Sequence, residues 1–523
     1  MTNNNRPALF GAAGATLVLA VATTAMTTSP AHAVAGGTES TKAYSFMGSF
    51  QPSYPKPPRP DGHGCGVEVL APQWVLTASH CAGKNPTNAK NGVPKGWKVR
   101  VGSLDTTSGG EVAEVDRYYR LATSRDPGGF WGKDLALMHL KTPVKAKPVP
   151  LASARPAVGS PVRIMGWGMT CDDTDDPACF PDRLREADTT VQAKAVCKTG
   201  TDEELCVGSR DGSVAATNMD SGGPALVREK GAWALAGVVS GPGAGDKPPT
   251  LYTDVTRHAA WIKGIISGAK VPPLDTVPDI EGAVDLGNCA GSVVRTPASR
   301  PGDPALLLTN GHCVDGDRPA PGTALTDKPA DRAVTIADRQ GYPEASARAN
   351  RLLYATMSGT DVAVYRLDKT YAQLQAEGAK VFRLGGKPVR SGDSLGLNST
   401  GDRLSCKADA VVPRLKEGAY EQKDSIRYAA AEGCAPYGGM SGSALLAPDN
   451  STVVGVHNTH NADGEQCTDD NPCEVAADGT TTSTKGRAYG QQVSGLTACL
   501  TQGSKLDLTR EGCTVTGSQR TTR

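Results

Sequence analysis

Two strings and an acid in the first half of the chain bring together side chains able to act as nucleophile and base. Asn218-Met219-Asp220-Ser221-Gly222-Gly223-Pro224 sets a serine between an acid and two glycines. That is the make-up of a tight loop whose amide N–H groups can converge on a carbonyl oxygen. Val75-Leu76-Thr77-Ala78-Ser79-His80-Cys81 runs an apolar segment into a histidine, and Asp134 opens the apolar run Leu135 to Leu140. A serine hydroxyl is a weak nucleophile until a base takes its proton, and an imidazole does so best when a carboxylate fixes its tautomer. Singly, Ser-Gly-Gly-Pro is an ordinary polar turn and a histidine on an apolar segment an ordinary core residue. Together, in the order His80, Asp134, Ser221, they point to acyl transfer.

The same order returns in the second half. Leu307-Leu308-Thr309-Asn310-Gly311-His312-Cys313 parallels the histidine string, and Asp361-Val362-Ala363-Val364 parallels the aspartate string. Gly438-Gly439-Met440-Ser441-Gly442-Ser443 parallels the serine loop. His and Asp lie 54 residues apart in the first copy and 49 in the second. Asp and Ser lie 87 and 80 apart. No Cys-x-x-Cys or His/Cys cluster has metal-ligand spacing, so no metal or other cofactor is expected. Glycine pairs such as Gly385-Gly386 read as turns, not phosphate loops.

The elements that must hold these residues are strands. Gly 61, Pro 37 and only 5% aromatic residues suit a turn-rich β protein better than a helical one. The strings around His80, Asp134 and Ser221, with Gly166-Trp167-Gly168 and Ala234 to Gly241, resemble the chymotrypsin/trypsin family of serine endopeptidases. The second copy resembles more closely the bacterial glutamyl endopeptidase branch, whose nucleophile loop reads Gly-Asn-Ser-Gly-Ser. The resemblance implies an all-β chain of two tandem trypsin-like double β-barrel domains with short C-terminal helices. Ser221 and Ser441 are then nucleophiles, His80 and His312 general bases, and Asp134 and Asp361 their orienting acids. The amides of Met219 and Ser221, and of Gly439 and Ser441, become oxyanion holes. Met219 departs from the family, which has glycine there, and a Cβ is expected to resist the required backbone turn, leaving the first site slow, narrow or silent.

Carried over residue by residue, the first specificity pocket holds Ala215, Ala216 and Thr250, without a charge to pair a lysine or arginine. The second holds Ala435, with His457 where glutamyl endopeptidases keep a histidine near the substrate acid, so glutamate preference is a hypothesis for that copy. Cleavage after Ala33 would expose Val34-Ala35-Gly36-Gly37, and the family's N-terminal ion pair would then join Val34 to Asp220. In the second copy Met440 replaces that acid, and an internal copy has no free amine to pair with one. The expected disulfides are Cys65–Cys81, Cys171–Cys179, Cys197–Cys206, Cys289–Cys313, Cys406–Cys434, Cys467–Cys473 and Cys499–Cys513, although spacing alone leaves the connectivity open.

Length and composition frame this reading. A chain of 523 residues allows two or three domains. Arg6, the apolar run from Ala8 to about Ala22, and Pro30-Ala31-His32-Ala33 read as a secretory signal peptide, so the protein is expected to be extracellular, with paired cysteines and no membrane span once the signal is removed. The expected division is 1–33 signal, 34–270 first domain, 271–278 proline-rich linker and 279–523 second domain. The stretch 51–62, with five prolines, reads as an inserted surface loop, and Gly479 to Thr484 as a mobile one. A formal net charge of +1 argues against nucleic acid as a partner and leaves proteins or peptides as substrates. The rival expectation is a secreted binding or regulatory protein in which one or both protease-like copies are silent.

Overall fold

The computed structural model describes residues 34–516 except 53–58, 60–61, 84–88, 125, 172–175, 245–248 and 429–432. The expected signal segment 1–33 and most of the proline-rich stretch 51–62 lie outside the described residues.

Short strands cannot each bury an apolar face alone, and here they close on themselves. Among the described residues they form four six-stranded antiparallel rings. The first joins Met47–Gln51, Cys65–Ala71, Trp74–Thr77, Lys98–Val101, Glu111–Arg120 and Ala136–Leu140, the last two closing the ring. The second runs from Pro161–Gly166 through Arg185–Gln192, Glu204–Val207, Thr250–Asp254, Ala232–Pro242 and Pro224–Glu229 back to its start. The third joins Ala283–Asp285, Ala324–Ala337, Pro343–Thr356, Val362–Thr370, Pro304–Thr309 and Ala290–Arg295. The fourth joins Thr452–His460, Ala444–Leu446, Ser394–Ser399, Asp402–Glu417, Tyr420–Tyr428 and Ala488–Gln492. Closure removes sheet edges that would otherwise invite pairing with another chain.

The side-chain pattern follows the rings. In Pro343–Thr356 the alanines 345, 347 and 349 point inward while Glu344, Ser346 and Arg348 face water, the period-two alternation of a half-buried strand. The helix Ala259–Ile266 buries Ile262 and Ile265 and packs Trp261 and Ile266 against the first ring's core. The second copy ends differently, in the four-residue helix Ser494–Thr497 and a small hairpin, Leu500–Thr501 with Lys505–Leu506, tied by the Cys499–Cys513 bridge. The threonine-rich tract read as a mobile loop is instead partly a strand: Thr481–Thr482 pairs with Cys473–Val475, because the adjacent Cys467–Cys473 bridge presents a strand edge to it. The two copies touch where Lys95 pairs with Asp338 at 2.9 Å, and Asp275, in the stretch between them, accepts from the amides of Lys90 and Asn91 at 2.6 and 3.1 Å.

One core residue breaks the apolar rule. Glu68 is fully buried on Cys65–Ala71, and neither carboxyl oxygen has a hydrogen-bond partner. Burial pushes its carboxyl well above the ordinary carboxylate range, so it is neutral in the fold. A folded-state pKa above the unfolded one means that its contribution is intact below the unfolded value and is lost as pH rises toward the folded one. Replacing it with an apolar side chain of similar length, Glu68→Met, is therefore expected to stabilise the first pair of rings by about 1–3 kcal/mol at neutral pH. The gain in melting temperature, followed by calorimetry, should grow between pH 4.5 and 8. A gain of the same size at every pH would show that Glu68 does not titrate in this way.

Candidate active site

Each copy grips its histidine at two points. Asp134, buried at the head of Ala136–Leu140, accepts from the His80 backbone N–H at 2.8 Å and lies 2.7 Å from His80 Nδ1. Asp361 does the same for His312 at 3.1 and 2.8 Å. A carboxylate taken out of water needs donors, and here the donors belong to the residue whose ring must be aimed. The arrangement places the proton on Nδ1 and leaves Nε2 as the basic edge. For His312, burial pulls the pKa down, but the charge and hydrogen bond of Asp361 outweigh it and leave the imidazole above its ordinary value. Ser240 adds a third donor to Asp134 at 2.9 Å.

The serine loops are docked on the histidine strands by backbone contacts that repeat from copy to copy. Gly66 N donates to the Ser221 carbonyl at 2.8 Å, and Ala290 N to that of Ser441 at 2.7 Å. Thr77 and Thr309, three residues before each histidine, donate through their hydroxyls to the Gly66 and Ala290 carbonyls, both at 2.7 Å. Gly222 and Gly442 then sit so close to these threonines that a Cβ would fall 2.2 and 2.3 Å from their hydroxyl oxygens. That is the physical reason for glycine after each serine. Gly222 N donates to the Val239 carbonyl at 2.9 Å and Gly442 N to that of His457 at 3.0 Å, tying each loop to the following strand. Among the described residues, the amides of Met219, Ser221, Gly439 and Ser441 carry no internal hydrogen bond, which leaves two pairs of N–H donors available beside the two hydroxyls. His80 and Ser221 make no hydrogen bond to each other, and the Ser441 hydroxyl donates to the Asn458 carbonyl at 3.2 Å.

Two family profiles match the two halves of the chain. The family profile described as Trypsin matches residues 34–262, and the one described as Trypsin-like peptidase domain matches residues 291–456. Beta-fibrinogenase mucrofibrase-5 of Protobothrops mucrosquamatus is 33% identical over 235 residues, which cover 41% of this chain and 83% of that protein. The chain belongs to the trypsin-like serine protease family. Thrombin-like enzyme elegaxobin-2 of Protobothrops elegans is a further relative, 32% identical over 227 residues, covering 40% of this chain and 88% of that one. The solved structure of neuropsin, a serine protease expressed in the limbic system of mouse brain, matches 44% of this chain and 98% of its own at 25% identity and a TM-score of 0.36.

Within this trypsin-like frame, Met219 takes the backbone conformation that glycine favours, with φ +71°, as Gly439 does at +93°. The expected resistance of its Cβ is overcome from two sides. Its side chain packs against Met169, Cys179 and Phe180, and its carbonyl lies 3.2 Å from Nε2 of buried His63, whose Nδ1 lies 2.8 Å from the Ser49 hydroxyl. The strain to be offset is about 1–2 kcal/mol. Next to it, Asp220 is wholly buried. Desolvation pushes its carboxyl up, while donors from Thr217 and Gly168 and the Val34 N–H at 3.3 Å pull it back. The Gly166-Trp167-Gly168 string is cut to this carboxylate, since a Cβ on either glycine would lie within 2.5 Å of it. In the second copy Met440 is buried among Val389, Leu397 and Tyr428, so that loop is anchored by apolar packing where the first is anchored by a carboxylate.

The pocket residues divide. Ala215 and Thr250 are buried, and Ala216 N donates to the Thr250 hydroxyl at 3.0 Å, so these three adjoin one another. Ala435 is exposed, whereas His457 is buried with its Nδ1 2.6 Å from the Tyr428 hydroxyl. Burial drives the His457 pKa down to about 3, with the nearby His460 and His312 adding to the effect, so its ring is neutral. The seven cysteine pairs are bridged as Cys65–Cys81, Cys171–Cys179, Cys197–Cys206, Cys289–Cys313, Cys406–Cys434, Cys467–Cys473 and Cys499–Cys513. The sulfurs beside His80 and His312 are thus bonded to each other and offer no thiolate to a metal. Two groups at the first site have roles with no local signal in the sequence: Ser240 lies within the mostly apolar run Ala234 to Gly241, and His63 follows a run of prolines.

Two measurements test this construction. Met219→Val puts a β-branched residue at a positive φ and is expected to slow labelling of Ser221 by a fluorophosphonate at least about tenfold, while Met219→Gly keeps or raises it. NMR titration of the His312 ring should give a pKa above 6.5 that falls in Asp361→Asn; an unchanged value would remove the carboxylate as its cause.

Proposed function

We propose that the chain is a secreted serine endopeptidase with two Ser/His/Asp sites, built as signal peptide 1–33, protease domains 34–270 and 279–523, and linker 271–278. In each site the serine oxygen adds to the scissile carbonyl carbon while the histidine Nε2 takes its proton. The oxyanion is met by the amides of Met219 and Ser221, or of Gly439 and Ser441. Collapse of this intermediate passes the proton to the leaving amine, and water then releases the acyl group by the reverse sequence. The observation that carries this reading is the repetition, in two unlike sequences, of one construction: a buried carboxylate gripping a histidine at two atoms, and a serine loop hung on the histidine strand with two unspent amides.

Removal of residues 1–33 would turn the Val34 nitrogen, already beside Asp220, into an ammonium. It would thereby give the buried carboxylate its cation. The uncharged pocket of Ala215, Ala216 and Thr250 suits a small or medium apolar side chain in the first copy. Substrates are proteins or peptides. The net charge of +1 offers nothing to a nucleic acid, and among the described residues no helix is long and apolar enough to cross a membrane.

A second reading, that one or both copies are silent and the chain binds rather than cuts, draws on the hydroxyl of Ser441 facing the Asn458 carbonyl and on the lack of a bond between His80 and Ser221. A fluorophosphonate probe with peptide mapping separates the two. Labelling of both Ser221 and Ser441, each lost in its own alanine variant, supports two active sites. Labelling of one leaves a protease with a silent companion, and labelling of neither, with no hydrolysis of casein, leaves the binding protein.

A further inference from the structure

The two copies differ on the strand that follows each serine loop. The matching contacts of Gly222 with Val239 and Gly442 with His457 put Gly241 and Thr459 at the same place on their strands. Beside Gly241 a Cβ would meet no atom within 4 Å, so that side of the first cleft is open. In the second copy the place is taken by Thr459, whose hydroxyl donates to the Glu417 carboxylate at 2.8 Å.

Glu417 is delivered there by an unusual hairpin. Asp402–Glu417 and Tyr420–Tyr428 belong to the fourth ring but reach across to the third. Lys423 N donates to the Gly359 carbonyl at 2.9 Å, Gly359 N to that of Glu421 at 2.8 Å, and the Tyr420 hydroxyl to that of Pro319 at 3.1 Å. The tip is braced from behind, where Lys416 pairs with Cys473 and Gly418 N donates to the Cys467 carbonyl at 3.0 Å, on the loop closed by the Cys467–Cys473 bridge. The carboxylate so held lies within electrostatic reach of His312 and Asp361.

Its partners are incomplete. Among the described residues no lysine or arginine lies within ion-pair distance of Glu417, and the hydroxyl of Thr459 is its one hydrogen-bond donor. Burial lifts its carboxyl to about 7; the Thr459 bond and His312 act against this, while the charges of Asp361 and Asp470 add to it. A half-buried acid with Asp361 and Asp470 near it favours an incoming cation, which relieves both its desolvation and the like-charge repulsion.

We propose that Glu417 is a specificity-determining residue of the second copy, receiving the ammonium or guanidinium of a lysine or arginine side chain close to the scissile bond. This rests on the reading of the His312 and Ser441 cleft as a peptide site. It turns the expectation for this copy away from glutamate, since His457 is neutral and already bonded to Tyr428, and the wall beside it is acidic.

The test reads binding apart from cutting. In the full chain carrying Ser221→Ala and Ser441→Ala, equilibrium affinities are measured by fluorescence anisotropy for labelled peptides in which each position around one cleavable bond is, in turn, lysine or glutamine. The expected result is that lysine at one position binds about fivefold to tenfold more tightly than glutamine, that the advantage shrinks at about 0.5 M salt, and that Glu417→Gln abolishes it while Glu417→Asp keeps most of it. A circular-dichroism spectrum and melting temperature of Glu417→Gln that match those of the parent chain show that its fold is intact. Equal affinities, or a lysine advantage that survives Glu417→Gln, overturn the proposal. No binding by any peptide overturns it together with the reading beneath it. Hydrolysis by the Ser221→Ala chain is scored separately: if it is absent while the lysine advantage holds, only the protease reading fails.

Discussion

A carboxylate nearly cut off from water, holding one histidine by both its backbone N–H and its ring, is the constraint on which each half of the molecule depends. Asp134 and Asp361 cannot be buried unless their oxygens are met by donors. The two histidines lie in short helical turns that directly follow another strand of the same ring, so Ala136–Leu140 must pair beside Trp74–Thr77, and Val362–Thr370 beside Pro304–Thr309, in register. Barrel closure fixes that register, and a one-residue slip would turn the histidine or the acid to the opposite face. The bridge from each histidine's neighbouring cysteine to the strand alongside holds the same corner covalently.

The serine loops depend on this corner in turn. They are not anchored by the serine and histidine side chains but by main-chain bonds to residues that precede the histidine, and by glycines that permit a contact no other side chain would. Beyond these shared contacts the copies diverge in a physically consistent way. The first anchors its loop with a buried acid, which needs the Val34 nitrogen and the Gly166 and Gly168 backbone close by. The second, starting inside the chain, puts the apolar Met440 in that place and packs it. A buried carboxyl is tolerable only where donors can be brought to it, and Val34, Thr217 and Gly168 bring them to Asp220.

Met219 shows how a local rule yields to tertiary packing. On propensity alone a methionine at positive φ is unfavourable. Its thioether side chain has enough freedom to lie against Met169, Cys179 and Phe180, and its carbonyl has a buried imidazole to meet, so the turn can form at a modest cost. The threonine-rich tract near residue 480 makes a similar point, since its composition suggests disorder and a neighbouring disulfide loop supplies the strand edge that orders part of it.

By itself the sequence determined the strand-rich class, the duplication, and the three strings in each copy that carry histidine, acid and serine. These are local signals: an apolar run, its terminating polar residue, and the glycines of a tight turn are all written in neighbouring positions. Tertiary structure alone decided that the loops hang on Gly66 and Ala290, that Ser240 donates to Asp134, that the His63 ring meets the Met219 carbonyl, that His457 is spent on Tyr428, and that Glu417 accepts from Thr459. Each of these joins residues on different strands or loops, several of them more than a hundred positions apart. Their contact depends on ring closure and hairpin length, quantities that no short stretch of residues encodes.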